Sequence, residues 1–361
     1  MKSNRILQIM GEIREFPIES QFPRCGEEYI PYYLFKELGG TLLSSGKINK
    51  TYSVSNGSVL KYTPSKFVGP LKTFHSDLKV KKIVQNLKQK YSVSHFHTFL
   101  PKTKKFLKEK KVPIILTSHG GFPCFENSPI WKRPFAKMRM QLEREAVKQA
   151  DVLVAVNKYL VSEYQKYGVE KQIKIIYSGA DIKKFKPVKQ KWKIPLKIVY
   201  LSRLNSQKGV WDFIKLAKSL PEFNFVIMGY DPGGSTQKIM KEIVGEKHIE
   251  FYPNVDEKTK VEILGKSHVF VSLSKGYDPT PNVLYEAMGS GMAIISTLKF
   301  YREDVLGKNA FWIENWQDVA EYLQKTEKLQ IYGQRMRKMA EKKFNVARMA
   351  KEYKALAESL V

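Results

Sequence analysis

Cysteine is almost missing from this 361-residue chain. Cys25 and Cys124 stand far apart, with no spacing that suits a metal or a disulfide framework. That excludes a thiolate metal cluster and predicts a reduced, cytoplasmic setting. Long apolar runs are missing too: no stretch reaches the ~18 or more apolar residues of a membrane-spanning helix. The opening "MKSNRILQIMGEIREF" has too short an apolar core, followed too soon by acid, to read as a signal peptide. No low-complexity segment and no solenoid-length repeat occurs. G-x-S-x-G, C-x-x-C, HExxH and G-x-G-x-x-G are all absent, which disfavours hydrolases with a Ser or Cys triad, zinc peptidases and nicotinamide enzymes. No DxD-type motif stands in a suitable loop.

Acidic residues are the next shortage. The net charge is +27, with 35 Lys and Arg against 15 Asp and Glu in residues 1–190, a net +20, and 27 against 20 beyond, a net +7. A lysine-rich genome or a hot habitat would raise Lys throughout, but it does not readily account for that asymmetry. The charge points to a polyanionic partner, either nucleic acid or an anionic membrane surface. A hydrophobic share of 43% is that of a globular chain, and the length suits two domains.

Short β-rich apolar runs recur. "RILQIM", "VSHFHTF", "PIILTSHGG", "DVLVAVN" and "IKIIYSG" lie in the first half. "LKIVYLSR", "FNFVIMG", "HIEFYP", "HVFVSLS" and "MAIIST" lie in the second. Runs of this kind predict strands buried on both faces of a parallel sheet. Helical patterns such as "EEYIPYYLFKELGG", "KMRMQLEREAVKQA" and "VWDFIKLAKSL" fall between them, which predicts doubly wound α/β layers. The basic stretch 181–197, with two prolines, reads as the junction. The expected division is 1–187, 195–335 and a terminal helix over 336–361 that caps the second domain or crosses back to the first. With two such domains, a cleft beyond the carboxyl ends of the strands is the default site.

Several constellations lie just after strands. In "YLSRLNSQKGV", Arg203 and Lys208 precede a helix expected near Val210, a favourable place for a diphosphate or else an ordinary solvated loop. In "KGYDPTPNVLYEAMGSGMAII", Asp278 and Glu286 are separated by seven residues. Such carboxylates suit the hydroxyls of a sugar or ribose, or else a helix start and a turn. His95, His97 and His119 close strands; H-x-H hints at a metal, but no acidic or Cys partner stands nearby. Gly26 precedes the first long helix and would either bring backbone amides near a phosphate or permit a turn. The basic stretches 101–111 and 131–140, the second with Trp131, Phe135 and Met138, read as an interfacial helix or as a solvated one packed on its own domain.

These motifs resemble the retaining glycosyltransferases of family 4, most densely in the second half. "LSRLNSQKG" is similar to that family's diphosphate loop, and "DPTPNVLYEAMGSGMAII" to its E-x7-E element, with Asp278 as a shortened first acid. "IYSGADIKKFKP" is similar to its N-G-V-D-x-x-x-F-x-P segment, and Cys25-Gly26 stands for its Gly-Gly. The resemblance implies a GT-B fold of two facing Rossmann-like domains and a hexosyltransferase working in glycan biosynthesis. It implies that Arg203, Lys208 and Gly26 hold the donor diphosphate and that Glu286 holds the ribose. Asp278 and His119 would contact the donor sugar, with His119, Glu286 and Asp278 at the reacting centre. No metal and no cofactor beyond the nucleotide-sugar co-substrate is implied. The acceptor would be a saccharide or lipid-linked saccharide bound by the first domain, with peripheral attachment to the inner membrane face. Nucleic acid is not expected as a partner. The alternative is a basic α/β nucleic-acid-binding protein without transferase activity.

Overall fold

The computed structural model describes residues 6–10, 26–45, 49–54, 57–63, 69–87, 91–120, 133–231, 233–276, 278 and 281–361. Cys25, Cys124, Trp131 and Pro279 lie outside them, as do the side chains of Phe135 and Arg139. The chain forms two compact units. One comprises Met1–Tyr177 with Met349–Val361, and the other Ser178–Arg348.

The first unit is built on an eight-stranded sheet in the order β3-β4-β2-β1-β5-β6-β7-β8. Its strands are β1 (Ile6–Ile9), β2 (Gly40–Ser45), β3 (Lys50–Val54), β4 (Gly57–Tyr62), β5 (Val93–Phe96), β6 (Ile114–Ser118), β7 (Val152–Ala155) and β8 (Ile173–Ile175). All pair in parallel except β3, which returns antiparallel on β4 at the edge. The helices are α1 (Gly26–Leu38), α2 (Gly69–Gln85), α3 (Pro101–Glu109), α4 (Arg133–Gln149) and α5 (Lys158–Lys166). Strand alternation sends Leu7 and Ile9 into one core with Phe96 and Leu116, which α2, α3 and α4 cover through Val80, Val84, Leu107, Ala146 and Val147. Met10, Phe35 of α1, Leu42 and Val59 form a smaller cluster. The sequence runs name β1 and β5 to β8 but pass over β2 to β4. "KTYSV" and "GSVLKY" mix polar and apolar residues because they approach the sheet edge, where only part of each strand is covered, whereas "GTLLSS" is buried but is interrupted by Gly, Thr and Ser.

The second unit carries β9 (Lys197–Leu201), β10 (Asn224–Gly229), β11 (Ile249–Pro253), β12 (Val269–Ser272), β13 (Ala293–Ser296) and β14 (Phe311–Trp312). They pair in parallel in the order β11-β10-β9-β12-β13-β14. Its helices are α6 (Val210–Ser219), α7 (Thr236–Glu242), α8 (Glu257–Gly265), α9 (Asn282–Gly289), α10 (Val319–Leu323) and α11 (Thr326–Lys342), and α12 (Val346–Glu358) closes the chain. Ile198, Phe213, Phe225 and Val269 share its core. Relabelled within the unit, the order is 3-2-1-4-5-6, so the winding reverses between β9 and β12. A crevice opens beyond the strand ends at such a reversal, which is where ligands of doubly wound sheets bind.

The stretch 181–197 is built into the second unit. Phe185 is fully buried, Arg337 donates to its carbonyl at 2.7 Å, and the Val188 amide donates to Gly265. The last thirteen residues pack in the first unit, where the Tyr353 hydroxyl is 2.9 Å from Thr117 Oγ1.

Candidate functional site

In the second unit, both motifs arrive at the winding reversal. After β9 the chain turns through Arg203 to a 3-10 turn, Ser206–Lys208, whose N-cap Asn205 accepts the Lys208 amide at 3.0 Å. Arg203 stands exposed, whereas Lys208 is 7% exposed. Gly209 then takes φ +76°, and a Cβ there would lie 2.2 Å from the Leu273 carbonyl oxygen. Only glycine lets the loop pass this closely under the end of β12 and start α6 at Val210. Gly209→Ala is therefore expected to lower stability by about 2 kcal/mol, read as a fall in Tm in calorimetry; an unchanged Tm would count against this fit.

The loop after β12 supplies the facing acid. Lys208 Nζ lies 2.5 Å from Asp278 Oδ2, and Ser274 Oγ donates to the same oxygen at 3.4 Å. Lys208 and Asp278 line a pocket with Ser202, Ser272, Ser274 and Pro281. A charged pair with hydroxyls around it, half-sheltered from water, is a site where a phosphate or sugar hydroxyl can exchange for an existing partner.

Glu286 lies one helix further on, inside α9 and 4% exposed. Its Oε1 accepts from Lys260 Nζ at 2.9 Å, and its Oε2 is buried with no partner among the described residues. Lys260 also lies 2.9 Å from Glu257 Oε2, and Glu257 is paired in turn with Lys184. Burial pushes the Glu286 carboxyl above the ordinary range, while Lys260 beside it pulls the other way. For Lys260, burial opposes the charge, but Glu286 and Glu257 more than offset it, so the ammonium is held. Sequence reasoning missed Lys260, Glu257 and Lys184. The one signal was Lys260 three residues after Glu257, a spacing that ordinarily marks a surface pair.

In the first unit, the winding also reverses, between β1 and β5. His95 Nε2 is 2.7 Å from Thr117 Oγ1, and its ring stacks on Tyr353 at 5.0 Å. His97 Nδ1 is 3.2 Å from His119 Nε2, while His97 Nε2 is buried with no partner among the described residues. Burial lowers His95 to about 3 and His119 to about 4, with further lowering of His95 by His119. Both therefore act as neutral hydrogen-bonding imidazoles near pH 7. Among the described residues no group of three His, Cys, Asp or Glu could hold a metal ion. Gly26 is the first residue of α1. Lys208 and Asp278 are thus brought together at one crevice with Arg203 on its loop, Glu286 lies in α9 against Lys260, and His119 and Gly26 belong to the first unit.

Two family models match the chain. "Glycosyl transferases group 1" covers residues 181–343 and "Glycosyltransferase Family 4" covers 48–184. An uncharacterized glycosyltransferase of Methanocaldococcus jannaschii is 26% identical over 278 residues, 71% of this chain and 70% of that protein. Sucrose-phosphate synthase of Thermosynechococcus elongatus superposes with a TM-score of 0.82 at 15% identity, covering 99% of each chain. Anabaena HepE, solved in complex with UDP-glucose, superposes at 0.70 with 15% identity, covering 98% of this chain and 99% of that one. The winding of both sheets, the strand-end loops and these matches agree: the chain has the GT-B fold, and glycosyltransferase family models match it in both halves.

Proposed function

We propose that the protein moves a hexose from a nucleoside-diphosphate sugar to a saccharide or lipid-linked saccharide, with retention and without a divalent metal at the diphosphate. The observation that carries this reading is the Lys208–Asp278 pair at the winding reversal, followed in α9 by Glu286, whose Oε2 is buried with no partner among the described residues. Lys208, Arg203 and the first amides of α6 supply positive charge where a departing diphosphate gains negative charge. Glu286 offers an oxygen to the ribose hydroxyls. The resemblance assigns Asp278 and His119 to the donor sugar and Gly26 to a phosphate. In the reaction, the bond from the anomeric carbon to the phosphate oxygen breaks and the acceptor oxygen bonds to that carbon from the same face. The acceptor proton passes to the leaving phosphate, so no enzymic nucleophile is needed. The UDP-glucose bound by HepE supports a nucleotide-sugar donor. Incubation with a panel of nucleotide sugars and acceptors should release nucleoside diphosphate from one donor, with the anomeric configuration kept by NMR. Release from none of them would overturn the reading.

The acceptor is assigned to the first unit, whose surface fits peripheral attachment to an anionic membrane at the inner face. On α2, Phe74 and Leu78 are exposed one turn apart, and Met138 is exposed on the neighbouring α4. The same region, α2 to α4, carries nine exposed cations, Lys82, Lys102, Lys105, Lys108, Lys110, Lys111, Lys137, Arg144 and Lys148, against the acids Glu109 and Glu145, the latter paired with Lys148. Apolar side chains amid cations suit the headgroup boundary. Vesicles containing phosphatidylglycerol are expected to sediment the protein at low salt and release it at high salt, and Phe74→Ser with Leu78→Ser should weaken that binding. Equal retention by phosphatidylcholine vesicles, or none by either, would refute the attachment.

A further inference from the structure

We propose that Lys260 is a positioning residue for Glu286: it fixes one carboxylate oxygen so that the other is presented to the vicinal hydroxyls of a ribose. This rests on the reading of the second unit as the nucleotide-binding half.

Lys260 is placed where a helix by itself would not want it. α8 starts at the N-cap Asp256, whose side chain accepts from the Thr259 amide. Lys260 therefore follows the first turn, near the positive end of the helix dipole, where a cation is disfavoured. Its side chain is also nearly buried, at 13% exposure, which adds a desolvation cost. Two carboxylates compensate for both. Nζ meets Glu257 Oε2 and Glu286 Oε1 at 2.9 Å each, and it stands 5.2 Å from the centre of the Phe185 ring. Lys184, 5.2 Å from the same centroid, pairs with Glu257. The result is a chain of alternating sign, Lys184–Glu257–Lys260–Glu286, in which each charge has an opposite neighbour.

The end of that chain is what matters for function. An ammonium has three donors, and Lys260 directs two of them to carboxylates on different helices. Glu286 is thereby held through Oε1, and Oε2 remains buried without a partner among the described residues. A carboxylate anchored at one oxygen keeps little torsional freedom. Its free oxygen is then directed before a ligand arrives, and less ordering is left for binding to supply. A buried ion pair is weak evidence for stability, so a role in orienting Glu286 accounts better for this pair than a stabilising one.

The test is a comparison of a ribonucleoside diphosphate with its 2′-deoxy analogue by calorimetry. UDP, GDP and ADP are each titrated, and the tightest is carried forward on wild type, Lys260→Met, Lys260→Gln, Lys260→Arg and Glu286→Gln. Wild type is expected to prefer the ribose form by about tenfold or more, equivalent to about 1.4 kcal/mol. Lys260→Met and Glu286→Gln should lose most of that preference, because the ribose form loses both hydroxyl contacts to Glu286 and the deoxy form, with only its 3′-hydroxyl, loses fewer. Lys260→Arg, which keeps the charge, should retain a preference. If Lys260→Met does not fold, Lys260→Gln removes the charge with less loss of packing and carries the same expectation. A wild-type ribose preference in Lys260→Gln would overturn the inference and leave the proposed function standing, as would equal binding of both forms by wild type. Failure of wild type to bind any of the three diphosphates would instead overturn the proposed function.

Discussion

Glu286→Gln is expected to lower kcat/KM for sugar transfer by about 100-fold or more, with the protein still folded. Hydrogen bonds to a charged acceptor contribute about 1.5–3 kcal/mol each, and a ribose diol can donate two. The amide of Gln keeps one acceptor oxygen but turns a donor toward hydroxyls that need an acceptor. Stability changes less, because Lys260 keeps Glu257 as a partner. Steady-state kinetics beside a thermal melt separates the two effects: activity near wild type with an intact melt would remove Glu286 from the site.

Lys208→Met is the second large effect. The ammonium lies at the winding reversal, 2.5 Å from Asp278, and charge at that point favours the transition state more than the bound donor. Removing one such group typically costs about 100- to 1,000-fold in kcat, and the loss should fall on kcat more than on KM. Asp278 makes the experiment sharper. If the acid serves only to orient Lys208, then Asp278→Asn adds nothing in the Lys208→Met background. If Asp278 also holds a donor hydroxyl, as the resemblance assigns, the double variant is slower still. Residues in direct contact are where such non-additivity is informative. A Lys208→Met enzyme with wild-type kcat would show that the diphosphate binds elsewhere.

Most of the strand framework was legible because these strands are buried on both faces. "VLVA", "FVIM" and "AIIS" leave no polar side to confuse the pattern. Strands β3 and β4 were not, since a half-covered edge mixes polar and apolar residues as a loop does, and β2, though buried, has its apolar run broken by Gly, Thr and Ser. Arg203, Lys208, Asp278 and Glu286 stood out because strand-end loops carry ligands and their residues lie within short motifs. That Lys208 meets Asp278, seventy positions later, depends on strand order, and no local pattern encodes it. Lys260 was hidden for a related reason. "DEKTK" reads as a solvated helix start, and only the packing of α8 near α9 shows that the second lysine is buried against Glu286. The contact of Tyr353 with Thr117 and His95 likewise needs the terminal helix to return to the first unit.

The central claim is that protein cations, not a metal ion, hold the diphosphate of a nucleotide sugar in the second unit. Titrating UDP, GDP and ADP into the protein in excess EDTA tests it most directly. Saturable binding of at least one diphosphate, weakened by Lys208→Met and unchanged when magnesium is restored, is the predicted result. Binding that appears only with a divalent cation, or that Lys208→Met leaves untouched, would contradict it.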